Sequence, residues 1–251
     1  MSTGRGLTSS RRFVVASVVL AVTGVGGVGV VASRVLGGGP APPAATAAVP
    51  AQGPDAPQGV PLPGASAAAD PAASSCGLAP GDQALPGRAP AATLLDLAPG
   101  LAVPVVAGVG PGITEGITHC FAHSPTGALL AAVNWVKWFS SQQRLDEVVT
   151  TLMAPGADRD RLAADVASTW DGSTRSGLQV HGFRVGARSG DEVVVTLAVR
   201  SVGAVDDTLT ALPVLLRWQD GDWRVVTPQI DSWGQETIQS LTLAGYTPWT
   251  T

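Results

Sequence analysis

The sequence predicts an α+β fold in which about three helices pack on a curved antiparallel sheet. Apolar residues recur at helical spacing from Ser124 to Trp170, and after Gly177 they alternate with polar residues at strand spacing. An Asp-Gly-Asp turn at 220–222 joins two of the expected strands into a hairpin. Helices followed by a strand meander are typical of a helical layer that covers one face of a sheet.

An N-terminal transmembrane helix is predicted at 13–34, after a cytoplasmic tail at 1–12. The segment carries no charge from Phe13 to Ala32, and this run is long enough to cross the ~30 Å of hydrocarbon in a bilayer. Three arginines precede the run, whereas Arg34 is the only one that follows it closely. The positive-inside rule therefore places the N-terminus in the cytoplasm of a bacterium.

The rest of the chain is then expected outside the cell membrane. Residues 35–75 consist almost entirely of Ala, Pro, Gly and small polar residues, so they cannot bury enough apolar surface to fold, and we expect a disordered linker. A cleaved signal peptide is the alternative to an anchor, because four glycines between 24 and 29 weaken the helix and Val31-Ala32-Ser33 forms a poor match to a small-residue cleavage site. Cleavage would remove the anchor, but the rest of the chain would still be exported.

Charge and composition exclude nucleic acid as a partner. The formal net charge is -4 and only 14% of the residues are charged. Binding to phosphates needs a concentrated basic surface, which this chain lacks.

The two cysteines, Cys76 and Cys120, are predicted to form a disulfide. Both follow the hydrophobic segment, and paired cysteines are the common case in an exported chain. A zinc site is the alternative, but it would require His119 and His123 to converge on the same two thiolates. No other cofactor is indicated.

Residues 76–123 are predicted to wrap around the domain irregularly, because prolines interrupt their apolar stretches. The α+β domain proper is expected at 124–251. Ser124 and Pro125 are typical of the cap and first residue of a helix. A second helix is predicted at 143–153, and a third begins at Asp158.

Four antiparallel strands are predicted in the second half of the domain. They are expected at 178–185, 193–199, 209–219 and 223–226. A closing segment at 230–243 has a mixed period, which fits either a strand or a short helix.

The first helix carries an aromatic cluster of Trp135, Trp138 and Phe139. Together with Val136, these side chains make the helix apolar on more than one face. They are expected either in the core or at an interface with another protein, since aromatic residues dominate interface energetics.

The residues that could act in catalysis lie at positions where such side chains usually face solvent or shape a turn. The acidic pairs Asp191/Glu192, Asp206/Asp207 and Asp220/Asp222 all fall at expected turns, where carboxylates usually face solvent. His119 and His123 precede the first helix, and His181 is expected on a strand surface or edge. The sequence contains no nucleophile elbow and no phosphate-binding glycine loop. We therefore expect no enzymatic activity.

The last predicted hairpin, Leu216-Arg217-Trp218-Gln219-Asp220-Gly221-Asp222-Trp223-Arg224-Val225-Val226, resembles the ending of NTF2-like domains. A short tail, one spanning helix, a Pro/Ala linker and such a domain resemble the VirB8 and TcpC-like components of conjugative transfer systems. The segment from Phe121 to Ala128 is also similar to uncharacterised membrane-anchored actinobacterial proteins that are associated with mobile elements.

These resemblances imply a cone-shaped fold and a scaffold role rather than a chemistry. The expected function is a non-enzymatic, extracytoplasmic assembly or docking component of a transfer or secretion apparatus, with protein partners or a homo-oligomer. NTF2-like cones also hold small ligands, so a tethered ligand-binding protein is the alternative. An isomerase-type enzyme is a third hypothesis, which would require convergent buried acids.

Overall fold

A computed structural model describes residues 73–187, 189–204, 208–229 and 232–251. These residues contain three helices and eight strands arranged in antiparallel sheets, which confirms the α+β class. The helices are α1 (Pro125–Ser141), α2 (Leu145–Leu152) and α3 (Ala157–Thr169). The strands are β1 (Thr93–Ala98), β2 (Leu101–Val105), β3 (Leu178–Ala187), β4 (Glu192–Ser201), β5 (Leu209–Gln219), β6 (Asp222–Val225), β7 (Glu236–Ile238) and β8 (Thr247–Pro248).

The predicted cytoplasmic tail and transmembrane helix lie outside the described residues, as does the linker apart from its last three residues. Within the described part of the chain, no helix combines the length and the apolar character that crossing a bilayer requires. The prediction of an anchor at 13–34 is therefore neither supported nor contradicted by the fold.

The main sheet has six strands, in the order β6-β5-β4-β3-β8, with β7 also paired to β5. Its centre is the antiparallel meander of β3, β4 and β5, which follows the predicted strands closely. Val180, Phe183, Val195 and Leu197 all lie within the core, each 0% exposed. The alternation of apolar residues along these strands thus gives the sheet one face that is covered by helices. The closing segment supplies the short strand β7, which confirms the strand alternative for that region.

Helix α1 crosses the covered face of the sheet and contacts β2, β3 and β4. Ser124 caps it, because its hydroxyl oxygen accepts a hydrogen bond from the Gly127 amide at 3.0 Å, and Pro125 occupies the first turn. Gly127 lies against the preceding chain so closely that a Cβ atom there would come within 2.0 Å of the Ala122 carbonyl oxygen. The start of α1 therefore depends on the absence of a side chain at position 127.

Gly127→Ala is expected to lower the free energy of unfolding by about 2–3 kcal/mol, through overpacking. The sign runs against helix propensity, which favours alanine over glycine by up to about 1 kcal/mol. The measurement is chemical denaturation, with Gly186→Ala as the control because a Cβ atom at Gly186 meets nothing within 4 Å. Equal stabilities of the two variants would show that the segment before α1 relaxes freely.

Residues 76–123 are less irregular than predicted, because they include the hairpin of β1 and β2. Two of the prolines on which the prediction of an irregular segment rested are accommodated within this hairpin. Pro99 lies in its turn beside Gly100, whose φ is +77°, and Pro104 lies within β2 opposite Leu94. Since a proline is tolerated where its strand neighbour needs no N–H donor, Pro104 does not interrupt the pairing. The prediction was wrong here because it treated every proline as a break.

Candidate functional site

Cys76 and Cys120 are bonded to each other, as the sequence predicted, with their Cα atoms 6.3 Å apart. Cys120 is fully buried and has a left-handed φ of 68°. The two cysteines are therefore not available as thiolate ligands for zinc. The bond closes a loop with a sequence separation of 44, and the β1–β2 hairpin lies inside this loop.

Asp222 lies directly beneath the disulfide and is only 1% exposed. Its two carboxylate oxygens accept hydrogen bonds from the backbone amides of Cys120 and Phe121, both at 2.9 Å, and Oδ1 also accepts from the Trp223 amide at 2.8 Å. Burial raises the pKa of Asp222, while Arg224 and these three amides oppose the rise. The expectation that Asp222 is a solvated turn residue was wrong, because the turn is covered by the segment that carries Cys120.

The same region is tied together by backbone contacts. The Ser75 amide donates to the Gly221 carbonyl at 2.8 Å, and the indole Nε1 of Trp223 donates to the Ala122 carbonyl at 3.0 Å. We call residues 74–76, 120–122 and 220–223 the disulfide junction. It joins the beginning of the described domain, the segment before α1 and the β5–β6 turn.

His123, which lies directly before α1, contacts the β3–β4 turn. Its ring stacks on Trp218, with the ring centroids 4.2 Å apart. Its Nε2 lies 3.1 Å from the Gly190 carbonyl oxygen and 3.1 Å from a carboxylate oxygen of Asp191. The Nδ1 of His119 instead faces the Ile117 carbonyl at 2.7 Å. The two histidines therefore have separate partners and do not converge on one point.

The other acidic residues also have structural contacts or exposed positions. Glu192 accepts hydrogen bonds from Arg217, its cross-strand neighbour, at 2.8 and 3.0 Å. Asp220 is exposed in the β5–β6 turn, whereas Asp206 and Asp207 lie outside the described residues. Among the described residues, no group of three or more His, Cys, Asp and Glu side chains is placed to hold a metal ion.

His181 was predicted at a strand surface or edge; it lies in β3 as expected of a strand residue, but it is half-buried, and β8 lies beyond β3 at the edge of the sheet. It occupies the bulge between Val180 and Gly182 in β3, and its carbonyl accepts a hydrogen bond from the Trp249 amide at 3.0 Å. The C-terminal segment thus covers this side of β3. Burial lowers the pKa of His181, and the positive charges of Arg200 and Lys137 lower it further.

Lys137 is the only lysine in the sequence, and it projects from the otherwise uncharged helix α1. Its Nζ donates a hydrogen bond to the carbonyl oxygen of Thr251 at 2.6 Å. Burial lowers the pKa of Lys137 to about 8. The lysine therefore joins α1 to the C-terminal segment while carrying a charge in a poorly solvated position.

Stability should rise with pH because of Lys137. Below pH 8 the lysine is charged in both states and the folded state bears the desolvation penalty; between pH 8 and 10.5 the folded state alone has lost the proton. We expect the wild-type protein to gain about 2 kcal/mol relative to Lys137→Met between pH 7 and 10. Denaturation of both proteins across this range measures the gain, and parallel pH profiles would contradict it.

The aromatic cluster of α1 is part of the core, so its alternative assignment as an interface was wrong. Trp135, Trp138 and Phe139 are only 1%, 4% and 7% exposed. Trp135 packs on Phe139 and on Trp233, with ring centroids 5.0 and 4.7 Å apart. The Trp138 indole donates to the Thr118 hydroxyl at 2.7 Å. These rings are enclosed because α1 is covered by the sheet, by β2 and by the segment around Trp233.

The fold and the disulfide junction together define a disulfide-closed α+β domain with three helices on an antiparallel sheet. The chain belongs to the family described as a domain of unknown function, DUF8175, whose model matches residues 41–248. Comparisons with curated proteins and with solved structures find no significant match. The family match covers the whole of the described α+β domain except its last three residues, and it begins within the predicted linker.

Proposed function

We propose that this protein is a non-enzymatic assembly or docking component, held at the outer side of a bacterial cell membrane by a single N-terminal helix. The proposal includes an NTF2-like cone for the described domain and a place in a conjugative transfer or secretion apparatus. The observation that carries it is that buried hydrophobic side chains occupy the space between the sheet and the helices. Trp135 of α1, Phe183 of β3 and Leu197 of β4 are 0–1% exposed and belong to a single core cluster.

The polar side chains support the same proposal. Asp222, His123 and Glu192, which were the candidates for chemistry, each hold one segment of the chain against another. Catalysis by an acid and a base needs two such groups that converge on one substrate. A small-ligand function would likewise need a pocket with a few convergent polar groups, whereas the cluster between sheet and helices consists of buried hydrophobic residues.

The disulfide supports a location of the domain outside the cytoplasm. Structural disulfides persist in oxidising compartments and are rare in the cytosol. An oxidised Cys76–Cys120 pair is what a domain outside the membrane would contain, and it agrees with the orientation that the arginines before residue 13 predict.

The membrane address is tested by fractionating cells that express the full-length protein. We expect a species of full mass, 25.2 kDa, that resists extraction by alkaline carbonate and is digested when protease is added to the outside of the cells. A shorter, carbonate-soluble species would mean that the N-terminal helix is cleaved, and the anchored form of the proposal would then be wrong.

Docking is tested with a photo-reactive amino acid, because amine-reactive cross-linkers have only the half-buried Lys137 to attack within the domain. Leu85 is the labelled position, since it is 50% exposed, and Leu243, which is 90% exposed, is the control. We expect position 85 to yield the same identified membrane or exported protein in repeated experiments. A strictly monomeric protein without any such product would overturn the docking function.

A further inference from the structure

Strand β1 is an open edge. Within the described part of the chain it pairs only with β2, and β2 in turn packs on α1, so β1 is the outermost layer of this two-stranded sheet. Proteins usually guard such edges with proline, lysine or a bulge. Between Thr93 and Asp96 there is no proline and no basic residue, Asp96 carries the only charge, and the one irregularity in the pairing comes after Asp96. This stretch of backbone is therefore open to another strand.

The pairing with β2 fixes which backbone groups point outward. Leu94 lies opposite Pro104, which has no N–H, so these two residues form a pair that exchanges no hydrogen bonds. In an antiparallel ladder the N–H and C=O groups of such a residue point away from the partner strand. The same holds two residues later for Asp96. The open edge thus presents the backbone groups of Leu94 and Asp96.

The side chains on this edge select a partner. Leu94 and Asp96 project from the same face of the strand, since they are two residues apart, and Leu94 is 55% exposed. A second β1 could pair antiparallel in three registers that use these outward groups. One of them places Asp96 opposite another Asp96, which opposes like charges. Another places Asp96 opposite Leu94, so that neither exposed leucine is covered by an apolar side chain.

We propose that β1 pairs with β1 of a second copy of this chain, antiparallel, with Leu94 opposite Leu94. In this register the two half-exposed leucines cover each other and each Asp96 lies opposite Ala92 of the other copy. The arrangement has a two-fold axis perpendicular to the sheet, as an isologous dimer requires. The result is a continuous four-stranded sheet of β2 and β1 from one copy followed by β1 and β2 from the other.

Contact through one strand edge is small. It lies well below the roughly 1,000 Å² that a specific interface in solution needs, so the pairing depends on a high local concentration of the two copies. Confinement of the full-length protein to a shared membrane supplies that concentration, and in this respect the inference rests on the proposed function. It deepens that function by naming one partner and the strand that binds it.

The test is cysteine cross-linking of the full-length protein in membranes, with three single variants. In the proposed register the Cα atoms of Leu94 and its counterpart are about 5.5 Å apart, within the range that a disulfide spans. The two Asp96 residues are about 14 Å apart, because they are offset by four positions along the strand. We expect mild oxidation to give at least tenfold more disulfide-linked dimer with Leu94→Cys than with Asp96→Cys or with the remote control Leu243→Cys.

Each other outcome overturns the proposal. Equal cross-linking at 94 and 243 would indicate random collision, stronger cross-linking at 96 would indicate another register, and no dimer at any position would mean that the edge does not pair with itself. All three positions are exposed, so the variants should keep the melting temperature of the wild-type protein, which is checked in parallel. If Leu94→Cys fails while position 85 still captures a partner, the docking function stands and only self-pairing is wrong.

Discussion

Removal of the Cys76–Cys120 disulfide is expected to lower the free energy of unfolding by about 4 kcal/mol. The estimate follows from the entropy that a cross-link removes from the unfolded chain when it closes a loop with a sequence separation of 44. The variant is the double substitution Cys76→Ala with Cys120→Ala, and the measurement is denaturation in urea. Amide hydrogen exchange should show the largest loss of protection in the β1–β2 hairpin, because the hairpin lies within the loop.

Reduction of the wild-type protein is the control for this prediction. A thiol reductant breaks the bond but keeps both sulfur atoms, so the reduced protein should unfold at the same denaturant concentration as the double variant or somewhat above it, since the variant also loses the buried sulfur of Cys120. A loss below about 1 kcal/mol in both would show that the unfolded chain is already constrained in this region and that the disulfide adds little.

Asp222→Ala is expected to lower the free energy of unfolding by about 3–4 kcal/mol. The substitution leaves the buried amides of Cys120 and Phe121 without acceptors, and each unsatisfied buried donor costs about 1–3 kcal/mol. Asp222→Asn retains one acceptor oxygen and should lose about half as much. The loss is measured by chemical denaturation at neutral pH.

The matched control is Asp220→Asn, two residues earlier in the same turn. Asp220 is exposed, so its neutralisation should change stability by no more than about 0.5 kcal/mol. If Asp222→Asn and Asp220→Asn behave alike, the carboxylate of Asp222 does not hold the disulfide junction together and water takes its place.

Much of the fold could be predicted because its signals are local. The Ser124-Pro125 start of α1 and the alternating strands β3 to β5 depend on neighbours within a few residues, and the structure places all of them close to the predicted bounds. A helix that is apolar on several faces is usually buried. This rule favours the core over an interface for Trp135, and the structure buries that ring.

The parts that were missed depend on residues far apart in the sequence. Asp222 binds amides that are 101 and 102 positions away, and nothing in an Asp-Gly-Asp turn indicates that another segment covers it. The sequence around His181 predicts a strand surface or edge because nothing in it indicates that the C-terminal segment pairs with β3. The lone charge of Lys137 within a largely apolar helix is a usable signal of a half-buried cation.

The position of the disulfide also determines how the domain would bear a mechanical load. Tension that enters the domain at Ser75 passes through the sulfur atoms to Cys120, directly before α1, and reaches the β5–β6 turn through the backbone bond from Ser75 to Gly221. The segment between the cysteines, residues 77–119, is bypassed and cannot be pulled straight. A domain tethered at its N-terminal side would thus keep its β1 edge in shape while the tether is stretched.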